Sequence, residues 1–123
     1  MSLKTVEALE ELNIPEKYTD FLKEFLASIK ADDRVKRVIL FGSCARGEVR
    51  THSDIDILVT TNGEIGEEAE LKMYDYLPDV FGENYVPCDL IVMSERRFEE
   101  NKHIMGAVQK YIYTDGVDLR ELL

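Results

Sequence analysis

Residues 38–61 read VILFGSCARGEVRTHSDIDILVTT, and this stretch carries the strongest structural signal in the chain. It opens with an apolar run that stops at Gly42-Ser43, continues through a polar, arginine-containing segment, and becomes apolar again after Asp54. This pattern predicts two strands, over residues 35–41 and 54–60, with a turn over residues 42–53 between them. Any function carried by this stretch therefore lies where the strands meet the turn.

The second predicted strand contains two carboxylates within an apolar pattern. Because side chains alternate faces along a strand, Asp54 and Asp56 are predicted to project from one side, and Ile55 and Ile57 from the other, into the core. Two carboxylates held side by side repel each other and lose hydration, and a divalent cation between them offsets that cost. Oxygen ligands favour magnesium or manganese over zinc. The alternation thus indicates a cation site.

The break at Gly42-Ser43 has the features of a phosphate-binding turn. Glycine lets the backbone approach a phosphate closely, and the serine hydroxyl and nearby N–H groups can donate to its oxygens. Arg46 could add a charged, bidentate contact. Gly42 and Gly47 also have the spacing of a Walker A loop, but residues 48–49 are not the Lys and Ser/Thr that such a loop requires. This mismatch argues against a P-loop ATPase.

The flanking segments predict helices that cover the strands. Residues 3–12 are predicted to form a short helix, within a possible N-terminal helical arm over residues 1–14. A second helix is predicted after Pro15. Its apolar stripe has helical spacing and comprises Tyr18, Phe21, Leu22, Phe25, Leu26 and Ile29. This stripe is typical of a helix packed on a core, not of a ligand site.

The C-terminal half predicts one more strand between two helices. A helix is expected over about residues 65–77, followed by a strand over residues 85–93 that carries Asp89. Ser94 is a plausible N-cap for a long last helix over about residues 95–114, which Gly116 ends. The whole order favours an α/β sheet backed by helices in a single domain over residues 1–123. Strand directions do not follow from this pattern.

Composition narrows the classes of function. The 25 acidic and 15 basic side chains give a net charge of −10, so the chain lacks the basic surface on which general nucleic-acid binding depends. No apolar run approaches the ~20 residues of a membrane span, and the start has no signal-peptide pattern, so a cytoplasmic protein is expected. Cys44 and Cys88 are too far apart for a CxxC pair and are interpreted as reduced thiols.

The motif formed by Gly42-Ser43, ten residues and then Asp54-x-Asp56 resembles that of the nucleotidyltransferase superfamily that shares its fold with DNA polymerase beta. The similarity is greatest to its minimal single-domain members, called MNT, and covers about residues 34–93. A third aspartate on a later strand completes the family pattern, and Asp89 matches it. The resemblance implies an α/β (α+β) fold with a small mixed sheet backed by helices.

The resemblance also implies a two-metal transfer of a nucleoside monophosphate from ATP or another NTP. Asp54 and Asp56 would ligate Mg²⁺, and Asp89 would hold a second ion with them or deprotonate the acceptor hydroxyl. Gly42-Ser43 would hold the β and γ phosphates, with Arg46 as a further nucleotide-binding residue. Catalysis of this kind depends mainly on positioning and charge neutralisation, so few residues suffice.

The acceptor is the least defined part of this hypothesis. Minimal members resemble antitoxins paired with an all-helical HEPN ribonuclease, which implies transfer of AMP to a hydroxyl, such as that of a tyrosine, on the partner protein. No acceptor pocket is evident in the sequence, so a partner or a second copy of the chain is expected to complete the site. Two alternatives remain open, namely transfer to a small molecule and inhibition of a partner by binding alone.

Overall fold

The protein folds around one five-stranded mixed sheet in the order β1-β5-β2-β3-β4. The computed structural model describes residues 3–50, 53–79 and 82–123. The strands are β1 (Lys4–Thr5), β2 (Val35–Phe41), β3 (Ile55–Thr61), β4 (Cys88–Ser94) and β5 (Val117–Asp118). β2 is antiparallel to both β3 and β5, whereas β3 pairs with β4, and β1 with β5, in parallel. The predicted small mixed sheet is confirmed.

Five α-helices and four short 3₁₀ segments surround the sheet in the described residues. The helices are α1 (Glu16–Ile29), α2 (Ser43–Arg46), α3 (Gly66–Lys72), α4 (Glu95–Asn101) and α5 (Val108–Asp115). The 3₁₀ segments are Leu9–Leu12, Met73–Tyr76, Gly82–Asn84 and Arg120–Leu122. None of these helices is long and apolar enough to cross a membrane.

The two faces of the sheet have separate cores. Odd positions of β3, such as Ile55 and Ile57, pack with the apolar stripe of α1 in the larger cluster. Leu58 packs on the other face with Phe98 of α4 and Ile112 of α5. Because side chains alternate along a strand, Asp56 lies on the same face as Leu58. The predicted alternation is therefore confirmed from Ile55 onward, whereas Asp54 lies just before the strand.

Helix α1 matches its prediction closely. All six residues of the predicted stripe are buried, and the helix begins directly after Pro15. The spacing of the apolar residues was sufficient to predict this helix and its buried face, because one face of a regular helix packs on one face of the sheet.

The predicted helix over residues 3–12, and with it the helical arm over residues 1–14, is wrong in the described residues. Lys4–Thr5 form β1, and the Lys4 N–H donates to the Gly116 carbonyl at 3.2 Å. Leu9–Leu12 form a single 3₁₀ turn whose two leucines are buried. Residues three apart lie one above the other in a 3₁₀ helix, so this spacing fits a short turn as well as an α-helix.

The predicted long helix over residues 95–114 is also wrong, because it is two helices. α4 ends at Asn101 and α5 begins at Val108, and Gly106 between them has a φ of +87° that an α-helix does not allow. The break lets both helices pack on the same face of the sheet. Ser94 does cap α4, since its hydroxyl accepts the Arg97 N–H at 3.1 Å, as predicted.

The remaining differences are shifts of boundary and short elements that the sequence did not predict. β3 spans Ile55–Thr61 rather than residues 54–60, and α2 occupies part of the predicted turn over residues 42–53. The strand predicted over residues 85–93 spans Cys88–Ser94, since its pairing with β3 begins at Cys88. Pro87 cannot donate a backbone hydrogen bond, and its carbonyl accepts the Ile55 N–H at 2.8 Å. The helix predicted over residues 65–77 is α3 followed by a 3₁₀ turn. The two-residue strands β1 and β5 were not predicted.

Truncating Phe98 is expected to destabilise the protein strongly. Its ring is fully buried between α4 and the sheet, so Phe98→Ala should lower the free energy of unfolding by about 3–5 kcal/mol in urea titrations. Ile104→Ala, at a side chain that is half exposed, should change stability by less than about 0.5 kcal/mol. Equal losses for the two variants would contradict this packing.

Candidate active site

The parallel pairing of β3 and β4 brings two of the predicted site residues together. In the register of the two strands Asp56 lies directly opposite Asp89. Neighbouring strands are about 4.8 Å apart, so both carboxylates project from adjacent positions on one face of the sheet. Asp54 precedes β3 by one residue and is exposed at the same end. The fold therefore gathers all three aspartates at one end of β3 and β4.

Asp56 is the carboxylate whose protonation the site perturbs most. Burial raises its pKa to about 6, and the negative charges of Asp89 and Asp54 contribute to the same shift. The positive charge of Arg46 acts in the opposite direction. A carboxylate at this position is therefore costly when ionised, and a cation close to the group would reduce that cost.

Gly42 is required at its position by both conformation and space. It follows β2, whose last residue Phe41 is opposite Asp56, and its φ of +75° and ψ of −155° belong to a region that only glycine adopts readily. A Cβ at Gly42 would collide with the Asp56 carboxylate and would lie 3.2 Å from its Cγ. Gly42 thus lets the turn pass directly against Asp56.

The turn leads into α2, which begins at Ser43. Ser43 is half-buried, and Gly47, whose φ is +70°, caps the C-terminus of the short helix. The predicted phosphate-binding residues therefore stand at the start of a turn whose backbone touches the central aspartate. This places a candidate phosphate site and a candidate cation site side by side.

Two buried side chains, neither of them predicted as part of the site, anchor the chain before Asp56. The Cys44 thiol donates to the Asp54 carbonyl at 3.5 Å, and the Tyr18 hydroxyl donates to the Ser53 carbonyl at 3.0 Å. Tyr18 belongs to the predicted apolar stripe of α1, and its ring is buried there. Sequence spacing reveals the apolar side of such a residue but not the partner of its hydroxyl.

The two thiols are protonated and unreactive at neutral pH. Burial is the main cause that raises the pKa of Cys44 to about 11 and that of Cys88 to about 12, and the neighbouring aspartate charges add to it. Neither forms a disulfide, which agrees with the prediction that both are reduced. Cys44 packs in the core and positions backbone rather than acting as a nucleophile.

Arg46 extends from the end of α2 toward α5. Its Nε donates to Glu48 Oε2 at 3.0 Å and its Nη1 to the Tyr111 hydroxyl at 3.1 Å, while Asp115 Oδ2 lies 3.7 Å from Nη1. These contacts fix the guanidinium on the surface beside the turn. The structure thus places Arg46 near the candidate phosphate site without a direct contact to the three aspartates.

The donor set fits a magnesium ion that is completed by substrate. Within the ranges 3–50, 53–79 and 82–123, no three His, Cys, Asp or Glu side chains converge on a single point that could hold an ion. Magnesium, however, commonly uses only one or two carboxylates together with substrate phosphates and water. Asp56 and Asp89 supply such a pair, and Asp54 is beside them.

Comparison with known proteins identifies the family. The model of the nucleotidyltransferase domain family matches residues 22–119, which include every residue of the motif. The chain belongs to the nucleotidyltransferase domain family. It is accordingly a nucleotidyltransferase, as the motif predicted.

The relatives found by sequence agree with this assignment. A protein of Methanocaldococcus jannaschii with the name "putative protein adenylyltransferase" is 34% identical over 97 residues, which cover 77% of this chain and 90% of the relative. A second protein of that organism with the same name is 34% identical over 73 residues, covering 59% of this chain and 71% of the relative.

A solved structure supports the fold. The crystal structure of a "putative nucleotidyltransferase" from Sulfolobus solfataricus superposes with a TM-score of 0.55 at 24% identity. The alignment covers 89% of this chain and 84% of the other. At this level of identity the likeness concerns the arrangement of the sheet and helices alone.

Replacing Gly42 by alanine is expected to damage the site more than the fold. The backbone strain should lower the free energy of unfolding by about 1–3 kcal/mol, and the new Cβ should displace the Asp56 carboxylate. Gly66→Ala is a matched control, because Gly66 also has a positive φ of +80° but has open space around it. If Gly66→Ala lost as much transfer activity as Gly42→Ala at equal stability, the collision with the Asp56 carboxylate would not be the cause of the loss.

The raised pKa of Asp56 predicts how stability depends on pH without metal. At pH 5 the folded protein holds a proton on Asp56 that the unfolded chain, with a pKa near 3.8, has released. The stability of the wild type relative to Asp56→Asn should therefore fall as the pH rises from about 4 to about 6, and level off above that. Because the Asp56 carboxyl is only partly buried and solvent screens its charge, we expect a total change of about 1–2 kcal/mol in urea titrations with EDTA. A difference that does not vary with pH would show that the carboxylate is not perturbed.

Proposed function

We propose that this nucleotidyltransferase moves AMP from ATP onto a hydroxyl group of a partner protein, in the presence of Mg²⁺. The observation that carries the proposal is the Asp56–Asp89 pair across β3 and β4, in contact with the Gly42 turn. This arrangement provides a place for a cation and a place for a phosphate next to each other. The chemistry of the family needs both.

Each site residue has a proposed task. The Ser43 hydroxyl and the N–H groups of the turn would bind the β and γ phosphates. Asp54 and Asp56 would hold Mg²⁺, which when bound neutralises phosphate charge, and Asp89 would join them at a second ion or accept the proton of the acceptor hydroxyl. The acceptor oxygen then bonds to the α-phosphorus, and the bond to the leaving pyrophosphate breaks.

The openness of the site favours a large acceptor. Asp54 and Asp89 are exposed, so a hydroxyl on another protein can approach them without entering a closed cavity. The names of the M. jannaschii relatives refer to adenylylation of proteins, which agrees with this choice. The proposal for this chain follows from the two observations together.

The resemblance suggests the partner and the biological setting. We propose an all-helical HEPN protein as the acceptor, with this chain acting as the antitoxin of the pair in the cytoplasm. The reduced cysteines fit such a compartment. An acceptor of this kind would bring its hydroxyl to the exposed Asp54 and Asp89 from outside the chain.

The proposal predicts that label enters a protein only from one position of ATP. The purified chain, Mg²⁺ and the candidate partner, or cell extract, would be incubated with ATP labelled at either the α or the γ phosphate. Label in a protein band from α-labelled ATP alone would establish AMP transfer, and the mass of the modified peptide would identify the acceptor. Label from γ-labelled ATP would instead indicate a kinase and refute the proposal.

Asp56→Asn serves as the matched variant, because it removes the charge and keeps the shape of the side chain. We expect it to lower transfer at least about 1,000-fold while the fold is retained, since charge neutralisation is the main contribution to this chemistry. Glu64→Gln, at an exposed carboxylate before α3, controls for a general loss of negative charge. A fully active Asp56→Asn protein would refute the site.

Other outcomes distinguish the two alternatives. Label that appears in a small molecule would place this chain with transferases of small acceptors. A partner that is neutralised equally well by a protein carrying both Asp54→Ala and Asp56→Ala would show that binding alone is sufficient.

A further inference from the structure

Helix α5 is connected to the candidate nucleotide site through one arginine. Arg46 donates from Nη1 to the Tyr111 hydroxyl at 3.1 Å, and Asp115 is 3.7 Å from the same nitrogen. Tyr111 and Asp115 are four residues apart, so they lie next to each other on one side of α5. Neither residue belongs to the sequence motif of the family, and Tyr111 lies 65 residues beyond Arg46 in the chain.

Tyr111 contributes little to the core. Its side chain is 49% exposed, whereas Ile112 beside it is fully buried and packs on the sheet. Tyr113 has a different environment, since its ring meets that of His103 edge-on at 5.1 Å between centroids. Tyr111 therefore differs from these two neighbours on α5 by its hydrogen bond with Arg46.

The chemistry of the three partners of Arg46 suggests different effects. Glu48 and Asp115 are carboxylates, which attract the guanidinium but also offset its charge toward a phosphate. The phenol of Tyr111 is a neutral acceptor, so it can fix the direction of the guanidinium and leave its positive charge available. Fixing a long side chain in advance reduces the entropy that binding must otherwise remove.

We propose that Tyr111 is a positioning residue that holds Arg46 ready to bind the triphosphate at the Gly42-Ser43 turn. The inference rests on the proposed function in one respect, namely that the turn binds the phosphates of an NTP. Helix α5 would then belong to the nucleotide site, although it contributes no residue to the aspartate cluster. Arg46 itself would make the contact with phosphate.

Nucleotide binding provides a test that does not depend on transfer. The dissociation constant of a fluorescent ATP analogue with an α,β-methylene bridge would be measured with Mg²⁺ for wild type, Tyr111→Phe, Arg46→Ala and the double variant. We expect Tyr111→Phe to weaken binding about three- to tenfold, as for the loss of one hydrogen bond. The double variant should bind no more weakly than Arg46→Ala, because Tyr111 acts through Arg46. Tyr113→Phe is the matched control on the same helix and should not change the affinity.

Transfer kinetics add a second measurement. In an active system Tyr111→Phe should raise the KM for ATP by a similar factor and leave kcat within about twofold, because the hydrogen bond supports binding rather than the chemical step. A general disturbance of the fold would instead change kcat, or the urea midpoint, together with KM.

Several results would overturn the inference. Unchanged binding by Tyr111→Phe would show that this hydrogen bond does not prepare Arg46 for the nucleotide, and tighter binding would show that α5 holds Arg46 away from it. Losses that add in the double variant would show that Tyr111 acts independently of Arg46. A wild type that does not bind the analogue would also refute it. A wild type that binds the analogue but transfers no AMP would refute only the proposed function, and the comparison of affinities would still decide the role of Tyr111.

Discussion

The repulsion among aspartates at the end of β3 and β4 is the constraint around which this small fold is arranged. A parallel pair of strands places Asp56 against Asp89, and burial adds to the cost of ionising Asp56. Such a cluster lowers stability, so its presence in a chain of this size points to function rather than to structure. The surrounding elements hold the cluster in place: β2 closes one side, and α1 fixes the chain just before Asp54.

The site is built from backbone as much as from side chains. Gly42 matters because it has no side chain, and Cys44 and Tyr18 act on the carbonyls of residues 53–54 rather than on a ligand. These groups keep the turn and the start of β3 at a fixed separation. If a cation and a phosphate bind to such a preformed site, the protein needs little rearrangement. Groups that are already in place stabilise charge without a cost of reorganisation.

The sequence predicted the structure best where a pattern of apolar residues was compatible with only one kind of secondary structure. The stripe of α1, strand β2 and the alternation of β3 were predicted correctly, because each fits only one face of a regular element. The helix predicted over residues 3–12 and the last helix were wrong for the opposite reason. Leu9 and Leu12 fit either an α-helix or a 3₁₀ turn. After Ser94, the apolar residues Phe98, Met105, Val108 and Ile112 keep helical spacing across the break at Gly106. Strands β1 and β5 are two residues long, too short to show any periodicity.

Contacts between residues that are far apart in the chain could not be predicted from the sequence. The motif placed Asp54 and Asp56 together, but only the register of β3 and β4 shows that Asp89 is the direct neighbour of Asp56. The hydrogen bond from Arg46 to Tyr111 depends on how α5 lies on the sheet after the break. Neither relation has a local signal, since both are determined by the packing of elements that are far apart in the chain.

The strand order also has a consequence for the order of folding. The motif lies in the connection between β2 and β3 and at the start of β3. The pairing of these two strands closes a short loop between Phe41 and Asp56, whereas β1 meets β5 only when Lys4 reaches Val117. Closing a longer loop costs more entropy, and contacts between distant segments form more slowly. The hairpin that carries Gly42 and Asp56 is therefore expected to form early, and the pairing of the terminal strands to complete the sheet last.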